Sequence, residues 1–242
     1  MITSIGLDAG TSGYSAISVF QGNDWNEVNC VSLEAIKGID PPDLEMLVLR
    51  YCTHYKPNIV IMEENGPGYV FAGYLEKHGS AIPLATINPQ AQLPDNYEIN
   101  LWNNIVISSA EFKDVKAAMC WILRLLFRDN RIRLWFDDDE LIAQLGTLRW
   151  DNDPMRGDKT FMVSKRKLKF KSSELDTEPF SKSPDKADSL ALAALGYATL
   201  MQQENETVNP DEIQQEDIID PIIPGMFTVS ELTDEVVEDY AH

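Results

Sequence analysis

Four acidic residues in separate stretches of the chain have the types and spacing to hold divalent cations. Asp8 ends an apolar run in the stretch IGLDAGTSGYSAI, and Glu63 directly follows a second apolar run, NIVIM. Asp185 and Asp188 lie three residues apart at the start of a helical segment, so both side chains can point to one face. Carboxylate oxygens are the ligands that Mg²⁺ and Mn²⁺ prefer. The spacing therefore predicts a metal centre of four carboxylates.

Asp8 by itself allows two interpretations. The Gly-Thr-Ser-Gly stretch after Asp8 could close backbone N–H groups around a nucleotide phosphate, and in this it resembles the first phosphate loop of actin-like ATPases and sugar kinases. Alternatively, Asp8 projects from the middle of a sheet and, with other acids, holds divalent cations against a nucleic-acid backbone, which is the RNase H-like arrangement. An actin-like fold needs a second Gly-rich phosphate loop, and residues 100–200 contain none.

Charge is distributed unevenly along the 242 residues, whose net charge is −19. The last 42 residues contain 12 of the 39 acidic residues and none of the 20 Lys and Arg residues. Residues 149–171 reverse the balance, and we expect a β-hairpin about Arg156-Gly157-Asp158 whose basic side chains track DNA phosphates. The candidate DNA-binding residues are Arg149, Arg156, Lys159, Lys165, Arg166, Lys167, Lys169 and Lys171.

Length and composition indicate one domain followed by a tail. An apolar fraction of 44% suits a single α/β domain over residues 1–203, and the acidic residues 204–242 are expected to be mostly disordered. No apolar run approaches the roughly 20 residues of a membrane span. Cys30, Cys52 and Cys120 lie far apart, which predicts buried free thiols rather than a disulfide or a zinc site. These features predict an intracellular protein with no membrane partner.

Hydrophobic periodicity predicts three strands, a helix, a strand, a helix, a strand and further helices. Predicted strands cover residues 2–8, 14–20, 27–36, 58–62, 82–86 and 131–135, and predicted helices cover residues 43–55, 69–78, 110–127, 139–145 and 184–202. The first three strands form an antiparallel meander, and the NIVIM strand pairs beside the first. This order predicts an RNase H-like α/β fold, in which helices flank a mixed sheet and a basic β-hairpin is inserted, although an actin-like domain opens with the same order.

The late helix carries the most specific motif. SPDKADSLALAALGYA, at residues 183–198, resembles the closing motif of the nuclease domain of phage large terminase subunits, which package viral DNA. IVIMEENGPG at residues 59–68 resembles the acid-x-Asn-x-x-Gly turn of that family, and WILRLLFRDNRIRLW at 121–135 and VSKRKLKFK at 163–171 resemble its helix and basic strands. The resemblance covers about residues 1–200.

This resemblance implies a set of metal ligands. Carried over residue by residue, the principal ligands are Asp8, Glu63 and Asp188, with Asp185 as an auxiliary ligand. Glu63 is preferred over Glu64 because the family places its acid two residues before the Asn, here Asn65. The resemblance also implies two Mg²⁺ or Mn²⁺ ions and water attack on a phosphodiester, leaving 5′-phosphate and 3′-hydroxyl ends.

The implied function is cutting of concatemeric phage DNA by an endodeoxyribonuclease in the host cell cytoplasm. Its implied partners are double-stranded DNA, the small terminase subunit and the portal, on which the acidic tail could dock. The sequence contains no GxxxxGK[ST] phosphate loop, so we expect the packaging ATPase to lie on another chain or in a missing domain. A Holliday-junction resolvase shares the Asp-x-x-Asp helix and stays the nearer alternative, whereas an inactive RNase H-like binding module would lack some of these acids.

Overall fold

The computed structural model describes residues 1–10, 13–153, 158–163, 185–207 and 227–228. Its strands are β1 (Ile2–Asp8), β2 (Tyr14–Gly22), β3 (Val28–Lys37), β4 (Ile59–Glu63), β5 (Leu84–Ile87), β6 (Glu98–Asn100), β7 (Val106–Ser108), β8 (Ile132–Leu134), β9 (Trp150–Asp153), β10 (Lys159–Met162) and β11 (Phe227–Thr228). Its helices are α1 (Pro41–Tyr55), α2 (Pro67–His78), α3 (Val115–Arg128), α4 (Asp139–Leu145) and α5 (Asp185–Thr207), with a 3₁₀ turn at Trp102–Asn104.

One mixed sheet organises the molecule, with strand order β11-β5-β4-β1-β2-β3-β8. β1, β2 and β3 form an antiparallel meander, while β4 pairs parallel with β1 and β5 pairs parallel with β4. The predicted α/β class, the meander and the position of β4 beside β1 are therefore confirmed. β8 adds a parallel strand beside β3, and the two-residue β11 pairs antiparallel with β5 at the opposite edge.

The two faces of the sheet are covered by different helices. Ile5 and Leu7 of β1 pack in the apolar layer formed with α1 and α2, and the alternate residues of β1 face α5. α5 lies over the centre of the sheet, and its residues from 187 to 199 are buried. A helix buried all round has no polar face, which explains its nearly continuous apolar sequence.

Small residues let α5 lie close to β1. A Cβ atom on Gly6 would collide with the backbone of Ser189 and Ala193, and one on Gly196 would collide with the hydroxyl oxygen of Ser4. The main chain of α5 therefore rests directly on the strand that carries Asp8.

Several predicted element bounds were wrong. α3 begins at Val115 rather than near residue 110, because the carboxylate of Asp114 accepts the amide N–H of Ala117 at 2.8 Å and so caps the helix there. Residues 88–108, which gave no clear pattern, contain the β6–β7 hairpin. α5 continues to Thr207, beyond the predicted end at 202.

Other predictions concern the hairpin and the cysteines. The predicted hairpin is present as β9 and β10, with Asp158 in its turn at a φ of 58°, but its two described strands carry Asp151 and Asp153 beside one basic residue, Lys159. Almost all of the predicted acidic tail lies outside the described residues. The three cysteines are free, and Cys30 and Cys120 are buried as predicted, while Cys52 is half-buried. Within the described residues, no helix combines the length and the apolar character that crossing a membrane requires.

Candidate active site

Two neighbouring parallel strands bring the first two predicted acids together. Asp8 is the last residue of β1 and Glu63 the last residue of β4, and Leu7 pairs with Met62 in the register of these strands. Strand alternation places Glu63 on the same face as Ile61, which packs in the apolar layer beneath α5. Both carboxylates therefore lie at the C-terminal ends of two adjacent central strands, next to the start of α5.

Glu64 follows the strand and takes a different place. Its backbone N–H donates to the carbonyl oxygen of Ile87 at 2.7 Å, which extends the pairing of β4 with β5. Because side chains alternate between the two faces of a strand, this extension predicts that Glu64 faces away from Glu63. The carboxylate of Glu63 lies close enough to Asp8 to raise the pKa of Asp8.

Serine hydroxyls hold the first part of α5 against β1 and β2. The Ser189 hydroxyl donates to the carbonyl oxygen of Gly6 at 2.9 Å, and the Ser18 hydroxyl donates to the carbonyl oxygen of Ser189 at 2.9 Å. Ser189 is fully buried, and Asp188 next to it is 4% exposed. These bonds fix the turn that carries Asp188 against Gly6, which stands two residues before Asp8 in β1.

The acids interact electrostatically. Burial raises the pKa of Asp8 well above its ordinary value, and the nearby carboxylates of Asp188, Glu63 and Asp185 raise it further. The ammonium of Lys116 acts against these effects and lowers the pKa of Asp8. The site is therefore a cluster of mutually repelling carboxylates that a cation would stabilise, with Asp185 and Asp188 buried and Asp8 and Glu63 half-buried.

Lys116 of α3 is a member of this cluster that sequence reasoning missed. Its Nζ lies 3.1 Å from Oδ2 of Asp188 and 3.4 Å from Oε1 of Glu63. Burial alone would lower the pKa of Lys116, but the carboxylates of Asp188 and Glu63 outweigh burial and raise it. A signal was present in the sequence, since Lys116 stands four residues before Cys120 on the buried side of α3.

The donor set fits a hard divalent cation in its chemistry. All four acids offer carboxylate oxygens only, and the cluster is largely buried. As the side chains stand, no three Asp, Glu, His or Cys groups within the described residues are arranged to hold a metal ion. The ammonium group of Lys116 lies between Glu63 and Asp188, so positive charge from the protein itself takes part of the place that a cation would need.

The structure describes two of the eight candidate DNA-binding residues, Arg149 and Lys159. The guanidinium of Arg149 donates to the carbonyl oxygens of Gly146 at 2.6 Å and Leu148 at 2.8 Å, so it caps the end of α4 while remaining exposed. Lys159 begins β10 opposite Asp153 and is half-buried. The remaining residues of the strip lie outside the described residues: Arg156, Lys165, Arg166, Lys167, Lys169 and Lys171.

Cations and aromatic rings fix the hairpin to α3. The guanidinium carbon of Arg124 lies 4.4 Å from the ring centroid of Trp121 and 5.2 Å from that of Trp150. The amide N–H of Thr160 donates to the carbonyl oxygen of Glu111 at 2.7 Å, just before α3. These contacts, which the sequence did not reveal, attach the hairpin to the helix that carries Lys116.

No protein-family model matches the chain, and its sequence matches no curated protein. Solved structures do match. The nuclease domain of the large terminase subunit gp2 of bacterial virus Sf6 superposes with a TM-score of 0.59 at 12% identity, covering 80% of this chain and 88% of that one. The large terminase nuclease from thermophilic phage G20c with bound magnesium gives a TM-score of 0.52 at 20% identity, covering 80% of each chain.

This chain has the fold of the large terminase nucleases. A mutant of the Sf6 nuclease domain, solved with manganese and beta-thujaplicinol, has the same fold, with a TM-score of 0.57 at 12% identity over 80% of this chain and 88% of that one. At these identities the likeness concerns the fold, and it confirms the predicted RNase H-like class. The roles of individual residues follow from the site itself.

Proposed function

We propose that the chain is a divalent-metal-dependent endodeoxyribonuclease of a viral DNA-packaging terminase. The observation that carries this proposal is the convergence of Asp8, Glu63, Asp185 and Asp188 at the ends of two central strands in a chain with the terminase nuclease fold. The G20c nuclease was solved with magnesium and a mutant of the Sf6 domain with manganese, which supports a divalent cation in this fold.

The four acids would hold two Mg²⁺ or Mn²⁺ ions. Bound there, such ions would activate a water and stabilise charge on the oxygens of the phosphodiester. Asp8 and Glu63 would contribute carboxylate oxygens from the ends of β1 and β4, and Asp185 and Asp188 would contribute theirs from the first turn of α5. The pKa of Asp8 is raised first by burial and then by repulsion from the neighbouring carboxylates, so the cluster favours positive charge at this position.

Lys116 balances part of this negative charge when no divalent cation is bound. Its ammonium contacts the carboxylates of Glu63 and Asp188. A divalent cation bound at the acids would replace some of the charge that Lys116 supplies.

The substrate would be concatemeric double-stranded phage DNA inside the host cell. Basic side chains of residues 149–171 would contact its phosphates without reading sequence, and cutting would leave 5′-phosphate and 3′-hydroxyl ends. The small terminase subunit and the portal are the proposed protein partners, with ATP hydrolysis supplied from another chain or domain.

A plasmid-nicking assay tests this function. The purified chain should nick supercoiled DNA with Mn²⁺ or Mg²⁺ and not with EDTA, and Asp188→Ala should lower the rate at least about 100-fold. Glu98→Ala, which removes an exposed carboxylate on β6, is the matched control and should keep the wild-type rate. Cutting that survives in EDTA or in Asp188→Ala would contradict the metal-dependent mechanism.

Two further substrates separate the alternatives. A cruciform cut much faster than a linear duplex would favour a Holliday-junction resolvase. ATP hydrolysis by the purified chain would instead favour the actin-like interpretation.

A further inference from the structure

The first turn of α5 is held by α4 as well as by the sheet. Nζ of Lys186 lies 2.7 Å from Oδ2 of Asp138 and 3.0 Å from Oε2 of Glu140. The next residue, Ala187, donates its backbone N–H to Oε1 of Gln144 at 3.1 Å. Two consecutive residues of α5 are thus attached to the two ends of α4.

The ion pair of Lys186 with Asp138 is largely buried, whereas Glu140 is 42% exposed. The side chains of Lys186 and Asp138 are 15% and 18% exposed, so their ion pair is partly protected from water. Oδ1 of Asp138 also accepts the backbone N–H of Leu141 at 2.8 Å, which makes Asp138 the cap of α4. One carboxylate therefore joins the start of α4 to the start of α5.

The amide of Ala187 has a particular need for such a partner. The first four N–H groups of a helix have no acceptor within the helix itself. Gln144 supplies an acceptor to one of these groups, in the turn that carries the two acids. The contact fixes the direction of the turn in addition to its distance from α4.

We propose that Asp138, Gln144 and Lys186 are positioning residues that hold the first turn of α5 so that Asp185 and Asp188 are directed toward Asp8. Residues 186 and 187 lie between the two acids, so any shift of these residues moves both carboxylates. Cation sites need their ligands held within about 0.5 Å of the binding geometry. This inference rests on the proposed metal-dependent function.

Two substitutions of opposite charge separate positioning from simple electrostatics. Asp138→Asn keeps Oδ1 for the cap of α4 but loses the ion pair, and Lys186→Met keeps the aliphatic stem but loses the ammonium. Electrostatics alone would make a nearby cation bind more weakly after Asp138→Asn and more tightly after Lys186→Met. Positioning makes cation binding weaker in both.

The experiment is a calorimetric titration of the full chain with Ca²⁺, a divalent cation that tests binding without nicking. Both single variants should bind Ca²⁺ about 5- to 20-fold more weakly than wild type, and the double variant no more weakly than the worse single variant, because both remove the same contact. Gln144→Ala, which changes no charge, should weaken binding by a similar factor. Asp139→Asn, an exposed acid in the same turn of α4, is the matched control and should bind like wild type.

Hydrogen exchange in metal-free protein gives a second measurement. Amides of residues 185–189 should exchange at least about tenfold faster in Asp138→Asn and Lys186→Met, with the rest of α5 unchanged. Opposite shifts of Ca²⁺ affinity in the two variants, or unchanged affinity in both, would overturn the positioning role while wild-type nicking still supported the nuclease. A wild-type chain that neither binds Ca²⁺ nor nicks DNA would overturn the nuclease function, and the positioning role with it.

Discussion

Replacing Lys116 by methionine is expected to make the stability of the protein depend strongly on divalent cations. Methionine keeps most of the aliphatic stem but removes the ammonium that contacts Glu63 and Asp188. In metal-free buffer the buried carboxylates then repel one another with less compensation. A divalent cation bound at the acids restores the missing positive charge.

The size of the effect follows from the burial of the pair. Removing one partner of a buried ion pair costs about 3–5 kcal/mol. The side chains of Lys116 and Glu63 are 26% and 19% exposed, and water reduces the cost, so we expect about 2–3 kcal/mol. One kcal/mol lowers the melting temperature of a chain of this size by about 2–4 °C, which gives a loss of about 4–12 °C.

The measurement is thermal unfolding in EDTA and in increasing concentrations of Mg²⁺ or Ca²⁺. A cation at 100 times its dissociation constant stabilises the folded state by about 2.7 kcal/mol. Lys116→Met, in which no ammonium competes for the acids, should bind the cation more tightly than wild type and therefore gain more stability at the same concentration. Lys77→Met, which removes an exposed ammonium from α2, is the control and should change stability by less than about 0.5 kcal/mol in either buffer.

Two results would refute this reasoning about Lys116. If Lys116→Met melts as the wild type does in EDTA, the ammonium does not compensate the acids. If it is destabilised equally in EDTA and in saturating cation, the role of Lys116 is packing rather than charge balance.

Two further predictions concern the acids and their support. Burial and the neighbouring carboxylates raise the folded-state pKa of Asp8, so its contribution to stability is full below the unfolded pKa of about 3.8 and is lost as pH rises through the folded pKa. In EDTA, Asp8→Asn should therefore melt higher than wild type near pH 7.5 and equally near pH 3.5. A difference in melting temperature that stays constant across this range would contradict the raised pKa. Gly6→Ala should lower the free energy of unfolding by about 1–3 kcal/mol and weaken Ca²⁺ binding, because the new Cβ meets the backbone of α5. Gly73→Ala, on the exposed side of α2, is the control and should stabilise the protein by about 0.5–1 kcal/mol. Equal effects of the two changes in thermal unfolding would refute the close packing of α5 on β1.

Short-range patterns predicted much of the fold. The strands that became β1 to β4 and the helices α1, α4 and α5 are visible in periodicity, since each depends on residues close in sequence. The start of α3 was misplaced because Asp114 was not recognised as its cap. The β6–β7 hairpin was missed because its strands have three residues each, too few to establish a period.

Residue types and spacing within the sequence determined the acids, their likeness to a terminase nuclease and the pairing of the first four strands. Only the tertiary structure decided which side chains share the site, because contacts across 50 to 180 residues depend on how strands and helices pack rather than on local pattern. It brought Glu63 close to Asp8, placed Lys116 between Glu63 and Asp188, and attached the first turn of α5 to α4 through Lys186. The residues around Lys116 in the sequence do not indicate its ion-pair partners. Its ion pairs with Glu63 and Asp188 form only when α3, β4 and α5 pack together.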